Sequence, residues 1–511
     1  MISFTAPTED ILFSLHHVAE ANALRDWDLE LASDILGHFA GFAEGVIAPL
    51  NAVGDRQHAR LVNGRVQMPD GFGAAYAQLA QDGWQGLTAP ECFGGMGASP
   101  LIAAAVSEVF SGANHALQMV CNLVPGAIAT LMQYGSDAQQ RQWIPKLASG
   151  EVLSTMCLTE AQAGSDLSAI RCRAENTPDG WRITGEKVFI SGGDQDMSAD
   201  ILHLVLARSG EAGSGMKGLS LYLCPAQPGV SVTRIEEKMG LHASPTCQMR
   251  FDGAMSDLIG TEGHGLQAMF TLMNHARIDV ALQGVAHASR AADIAATYAA
   301  QRVQGRQHDG SPALLHHHAD VRRMLDEQRR LALGARAMCH IALVALEKGD
   351  RPALCDFLTP LCKVFGSEAG IRSADLGIQI LGGYGYLTEY GLDQIWRDAR
   401  ICAIYEGANG IHERSIATRG LRAGGGADEF AALISDLAGG SETILKRLAD
   451  WQIWRGVMTQ AADPLPQAHA FAQETAGLFF AAAWARIDAV SDHHGTPQEI
   501  KRLAQAAVMT G

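Results

Sequence analysis

Between about residues 156 and 260 the hydrophobic spacing of the chain changes, and that change constrains the fold more than any other feature. On the N-terminal side, residues 1–155 read as mostly helical. "DLELASDILGHFAGFAEGVIAPL" places apolar residues at helical intervals and is expected to stop at Pro49. "APECFGGMGASP" (89–100) reads as a loop, and "PLIAAAVSEVF" and "LVPGAIATLMQYG" as buried helices. Inside the block, "GWRITGEKVFISGG", "ILHLVLARS", "GLSLYLCP" and "VSVTRI" are short, β-branched and punctuated by Asp-Gly, Gly-Gly and Pro-Gly turns. They predict a compact antiparallel domain with no continuous helix in 181–233. Helical spacing returns from 263 to about 420, "RAGGGADE" (422–429) reads as a linker, and a further helical unit follows.

The order helical, β, helical, helical lacks the βαβ alternation of a doubly wound nucleotide fold. It divides the chain into a helical extension (1–34), an N-terminal helical domain (35–155), a middle β-domain (156–262), a C-terminal helical bundle (263–425) and an extra helical domain (426–511).

With 511 residues, 47% of them hydrophobic and 18% charged, the chain has the composition of a helical enzyme. A net charge of −16 disfavours non-specific binding to nucleic acid or to an acidic membrane surface. Ten cysteines are scattered without a Cys-x-x-Cys pair, which points to free thiols in a reducing compartment and to no metal site. The N-terminus reads as no signal peptide, and no apolar run is long enough to span a bilayer, so a cytoplasmic location and no membrane partner are expected.

Several short motifs fail on context. Gly213-Ser-Gly215-Met-Lys-Gly218 fits G-x-G-x-x-G but lies between two predicted strands and opens no helix. His412-Glu413 begins H-E-x-x-H, yet position 416 is Ile. His316, His317 and His318 are consecutive and would point to different faces of a helix, so they read as a helix start.

Four segments in register are more informative. "MCLTEAQAGSDLSAIRCRAE" (156–175), "WRITGEKVFISGG" (181–193), "QILGGYGYLTEY" (379–390) and "RDARICAIYEGANGI" (397–411) closely resemble the acyl-CoA dehydrogenase family. "APECFGGMG" is similar to that family's N-terminal glycine-rich loop, and the likeness covers roughly 35–420. The extra helix at the N-terminus and the unit after 425 resemble the branch that includes 3-methylmercaptopropionyl-CoA dehydrogenase.

The resemblance implies a mainly α fold with an inserted β-domain: an N-terminal helical domain, a middle β-barrel and a C-terminal four-helix bundle, here with an extra C-terminal helical unit. It implies FAD, an acyl-CoA substrate and an electron-transfer flavoprotein as partner. Glu406, in Tyr-Glu-Gly, stands at the position of the catalytic base, and Gly407 leaves room for the thioester. Leu158, Thr159, Phe189, Ile190 and Ser191 would line the flavin, with Phe189 and Ser191 replacing the family's usual Trp and Thr. Ser165 would meet the phosphate region of CoA or flavin. Gln379, Gly382 and Gly383 match a stretch that meets the FAD of a neighbouring subunit, which implies a homodimer or homotetramer. Arg302 stands where the family places an arginine on the FAD pyrophosphate; Arg306 is the alternative, because the usual Phe-Gly is missing. Arg277 is expected near the base.

The chemistry accounts for these residue types. Desaturating a Cα–Cβ bond needs a base for the α-proton and a two-electron acceptor that no side chain provides. Excluding water raises the pKa of a carboxylate and so strengthens it as a base. Asp279 is the alternative base, since Asn274 and Ala276 beside Arg277 offer no carboxylate. An acyl-CoA oxidase would use the same residues. A DNA-protecting flavoprotein of this fold would need a basic C-terminal surface, and residues 426–511 mix both signs.

Overall fold

The computed structural model describes residues 2–211 and 213–510. The side chains of 271–276, Asn274 and Ala276 among them, and of 509–510 lie outside the described residues. The chain divides into two compact units, one formed by 1–44, 100–113 and 277–511, the other by 45–99 and 114–276.

The second unit is built around a seven-stranded sheet of β1 (Val152–Cys157), β2 (Arg173–Thr177), β3 (Gly180–Ser191), β4 (Asp200–Arg208), β5 (Leu219–Pro225), β6 (Val230–Ile235) and β7 (Thr246–Ile259). The strands pair in the order β1-β4-β2-β3-β7-β5; β6 adds to β7, and a β4–β5 pairing closes the sheet on itself. β4 and β5 are buried almost throughout, which explains their unbroken apolar sequence. Val66, Ile183, Val205, Tyr222, Met249 and Phe251 pack inside. Among the described residues of 181–233 the only helical turn is a 3₁₀ turn, Gly215–Gly218, so the G-x-G-x-x-G stretch is a connection between β4 and β5.

The sheet is not wholly antiparallel, as the sequence had suggested. β1 runs parallel to β4 over Val152↔Asp200 to Cys157↔Val205, and β2 touches β4 in parallel at Arg173↔Arg208. The β2–β3 hairpin supplies the crossover that a parallel pair requires.

In the first unit, α1 (Gly265–Gln301, from residue 277), α2 (Ala319–Lys348) and α3 (Pro352–Leu381) are long helices. They are followed by α4 (Leu392–Ala399), α5 (Asn409–Ala417), α6 (Ala427–Leu437), α7 (Glu442–Gln460), α8 (Ala468–Ala489) and α9 (Pro497–Thr510). Glycines bring α1 and α3 into backbone contact. A Cβ on Gly284 would lie 2.2 Å from the Gly366 carbonyl oxygen, and one on Gly366 would lie 2.6 Å from that of Ala281. Gly334 on α2 likewise leaves room for Phe480 and Trp484 of α8, so the appended helices are seated on the bundle.

A buried ionic cluster ties in the N-terminal helix. Arg336, with no exposed side-chain surface, holds Glu108 at 2.6 Å, while Arg329 and His494 both bond to Asp10. The two arginines and the His494 bond hold the Asp10 carboxyl well below the usual range against the burial that would raise it.

Two further sequence expectations are corrected. The helical run from Leu29 does not stop at Pro49 but passes through a 3₁₀ turn, Ala48–Leu50, into a helix at Asn51–Gln57. Proline is tolerated there because the first turn of a helix needs no N–H from it. Hairpins at Arg60–Val62/Arg65–Gln67 and Val303–Arg306/Pro312–Leu314 interrupt segments that read as helical. The three consecutive histidines sit at the expected helix start and turn to separate backbone partners: Ala299 O, Leu314 N and Gln304 O.

Gly366→Val should lower stability by about 3 kcal/mol, the upper end of overpacking costs, because backbone opposes the new carbon. Gly37→Ala, in open space on a regular helix, should raise it by roughly 0.5–1 kcal/mol. Thermal melts of the two variants check the contrast.

Candidate active site

The turn between a 3₁₀ segment, Arg400–Ala403, and α5 carries Glu406 and Gly407 at φ +52° and +93°. Two successive left-handed residues are costly for a glutamate and persist only where the surroundings enforce them. Here both carbonyls are held. The His412 Nε2–H donates to Glu406 O at 3.0 Å, and Lys363 Nζ donates to Gly407 O at 2.7 Å and to Asn409 Oδ1 at 2.9 Å. Burial pushes His412 down to about 4, so the ring is neutral at neutral pH, and the carbonyl fixes the proton on Nε2. Any side chain at 407 would meet His412, 2.8 Å from the position of a Cβ.

Glu406 Oε2 is sealed from solvent and has no hydrogen-bond partner among the described residues. Burial raises its carboxyl to about 7; Arg277 and Lys363 pull the other way, and Asp279 adds to the rise. Asp279 is placed differently. Ser107 Oγ donates to its Oδ1, and Gln283 Nε2 donates to its Oδ2 at 2.7 Å. Gln283 in turn accepts from the Tyr405 hydroxyl. Both Asp279 oxygens are therefore engaged, while Glu406 has an oxygen to spare.

In the second unit, β3 carries a bulge. Lys187 pairs with Met249 and Ile190 with Cys247, so one extra residue lies on β3 between them. Phe189 takes a left-handed backbone (φ +60°) at this point and is 64% exposed. A bulge re-aims a side chain, and here it turns a large ring outward from a buried strand. Val188 donates its N–H to Thr159 O at 2.9 Å, which sets Leu158 and Thr159 beside the bulge. Lys187 has no exposed surface; its Nζ donates to Leu158 O at 3.0 Å and to Glu160 at 2.8 Å. Ile190 points into the barrel core, so it could reach a ligand only by its backbone. Ser191 is half-buried and Ser165 lies on an exposed loop.

Back in the first unit, Arg302 lies over the Tyr384 ring, 5.5 Å from its centroid, beside the exposed Gln379, Gly382 and Gly383. Arg306 donates instead to Gly310 O at 2.8 Å within its own hairpin. Gly382, at φ 61° and ψ −133°, has a backbone open essentially to glycine alone.

Sequence reasoning missed Lys187, Glu160, Lys363, Asn409 and His412. Only the lysines left a signal, each being a charge inside an apolar segment, "KVFIS" and "LCKVF".

In the first unit a buried carboxyl raised to about 7 sits on a strained turn, and in the second an aromatic ring is turned outward at a strand bulge. The chain belongs to the acyl-CoA dehydrogenase family: residues 33–151, 155–254 and 263–421 match its N-terminal, middle and C-terminal domains. It is an FAD-dependent oxidoreductase that acts on a CH–CH bond of acyl-CoA thioesters and forms 2,3-enoyl-CoA products. It is 39% identical to the 3-methylmercaptopropionyl-CoA dehydrogenase of Ruegeria pomeroyi over 88% of this chain and 83% of that one. It is 33% identical to the broad-specificity linear acyl-CoA dehydrogenase FadE5 of Mycobacterium tuberculosis, over 76% and 70%. Its fold matches Caenorhabditis elegans ACDH-11 with a TM-score of 0.84 at 19% identity, covering 99% of this chain and 92% of that one.

Because burial raises the Glu406 carboxyl to about 7, a reaction step that needs it ionised should rise with pH through neutrality and level off above. An ordinary carboxyl, ionised well below neutrality, would leave the rate flat there. The pH dependence of anaerobic flavin bleaching by an accepted acyl-CoA distinguishes the two.

Proposed function

We propose that Glu406 removes the α-proton of the bound thioester. The observation that carries this reading is its sealed, unpartnered Oε2, set against an Asp279 whose two oxygens are both engaged. The raised carboxyl makes a stronger base than a solvated glutamate, and Arg277 and Lys363 offset the charge that develops when it is ionised. Gly407 leaves its side of the turn without a side chain.

The residues present suit a flavin dinucleotide. Phe189 presents an exposed ring at a strained bulge, which a planar ring system would cover, and Arg302 offers an exposed guanidinium for a pyrophosphate. Leu158, Thr159, Ser191 and the Ile190 backbone would hold the ring, and Ser165 would reach the phosphate region. When bound, FAD supplies the two-electron acceptor that the side chains lack. Arg302 stands at the position the resemblance gives, and it is favoured over Arg306, one of whose N–H groups already donates to Gly310.

We further propose a homodimer or homotetramer in which Gln379, Gly382 and Gly383 reach a neighbour's FAD. The support is their exposure, together with Tyr386, 86% exposed on the same loop. An electron-transfer flavoprotein is the proposed electron acceptor, and peroxide production in its absence would instead mark an oxidase. The ten free cysteines fit a reducing, cytoplasmic setting. Among the described residues, no single helix is long and apolar enough to cross a membrane. The relative's name suggests 3-methylmercaptopropionyl-CoA as the first thioester to try.

Glu406→Gln should keep FAD and bind the thioester while flavin reduction falls on the order of 10²-fold or more, as for loss of a positioned base. Wild-type reduction by Glu406→Gln, with loss in Asp279→Asn, would move the base to Asp279. Light scattering of the yellow holoprotein should give an even-numbered oligomer, and an FAD-bearing monomer would refute the shared site.

A further inference from the structure

We propose that Lys363 is a positioning residue for Glu406, and that the C-terminal helical unit completes its hold on the catalytic turn through Gln473 of α8. The inference rests on the reading of Glu406 as the base. The side chains form one chain of contacts. Lys363 on α3 bonds the Gly407 carbonyl and Asn409 Oδ1. Asn409 Nδ2 donates to Glu368 Oε1 at 3.1 Å and to Ser367 Oγ at 3.2 Å. Gln473 Nε2 donates to both Glu368 oxygens, at 3.3 and 3.1 Å. A second tie from the same helix runs from His469 Nδ1 to Glu413 on α5, at 2.9 Å.

This arrangement is costly, which is the reason to assign it a role. Lys363 has no exposed surface, and a cation so placed is expensive unless the geometry repays it. Burial lowers it to about 8, while Glu406 and Glu368 act to keep it charged. What it holds is a turn with two left-handed residues, which without such restraint would relax and carry the base with it.

The charge has a second effect. The ionisable groups around Glu406 are Arg277 and Asp279 on α1, Lys363 on α3, His412 on α5, and Cys402 and Tyr405 on its own segment. Burial keeps His412 neutral and holds Cys402 as a thiol and Tyr405 as a phenol, so Arg277 and Lys363 are the cations that favour ionised Glu406. Their opponent is Asp279.

The test uses the FAD-loaded, full-length protein and an acyl-CoA that bleaches the wild type. Lys363→Met should slow bleaching at saturating thioester on the order of tenfold or more, with thioester binding unchanged. Its pH profile should also move to higher pH, because a charge that favours ionised Glu406 is gone. Lys363→Arg should restore the position of the profile and only part of the rate. Gln473→Ala should slow bleaching severalfold without moving the profile. Lys363→Met with wild-type rate and profile would overturn the role of the lysine, and Gln473→Ala at full rate would overturn that of the C-terminal unit. If Lys363→Met loses FAD or does not fold, Asn409→Ala decides: a severalfold loss supports the proposal and an unchanged rate overturns it. Should Glu406→Gln itself bleach normally, the base assignment fails; should only the Lys363 variants do so, the fault lies with this inference alone.

Discussion

Glu406 occupies a backbone conformation that favours glycine, followed at once by a glycine in the same region, and neither would stay there in an isolated peptide. The conformation buries the carboxylate's Oε2, which finds no donor among the described residues. Burial alone would push the group's pKa higher still. Two cations, Arg277 and Lys363, oppose that tendency, and the balance leaves it near neutrality. The Glu406 carboxylate and the strained turn thus depend on one residue in common, since Lys363 supplies both a hydrogen bond to the turn and a charge to the carboxylate.

Bringing a lysine of α3 and an arginine of α1 to the same carboxylate requires those helices to lie unusually close. Gly284, Gly366 and Gly370 remove the side chains that would keep them apart. Close-packed backbones do not slide easily, which gives the site a rigid floor. The appended helices extend this rigidity. α8 packs on α2, α3 and α5, and Gly334 lets Phe480 and Trp484 come against α2. The Arg336–Glu108 pair and the Asp10 contacts draw the N-terminal helix and the His494 segment into the same unit.

The second unit uses a buried ion pair to similar effect. Lys187 and Glu160 join β3 to the end of β1, and Glu160 also accepts the N–H groups of Arg171 and Cys172. With its neighbours fixed in this way, the bulge at Phe189 can carry strain and present its ring to solvent. In both units, then, a fully buried lysine bonds a backbone carbonyl close to an irregular stretch of chain.

The sequence by itself determined the succession of helical and β segments, because side-chain periodicity is written locally and survives without any partner. It also singled out Glu406 and Gly407 as candidates, through the order of residues around them, and it set aside three short motifs on their context. It did not determine the parallel β1–β4 pairing, the passage of the helix through Pro49, or the small hairpins, since each depends on what lies across from the segment. It favoured Glu406 over Asp279 by resemblance alone and said nothing of how their surroundings differ. Both are acidic residues near Arg277, and only the folded chain hands Asp279 to Ser107 and Gln283 and leaves Glu406 Oε2 without a hydrogen-bond partner among the described residues. The holding residues, Lys363 with Asn409, Glu368 and Gln473, were illegible for the same reason. They come from three helices, α3, α5 and α8, and their roles come from burial and from distances of about 3 Å that exist only once the helices are packed.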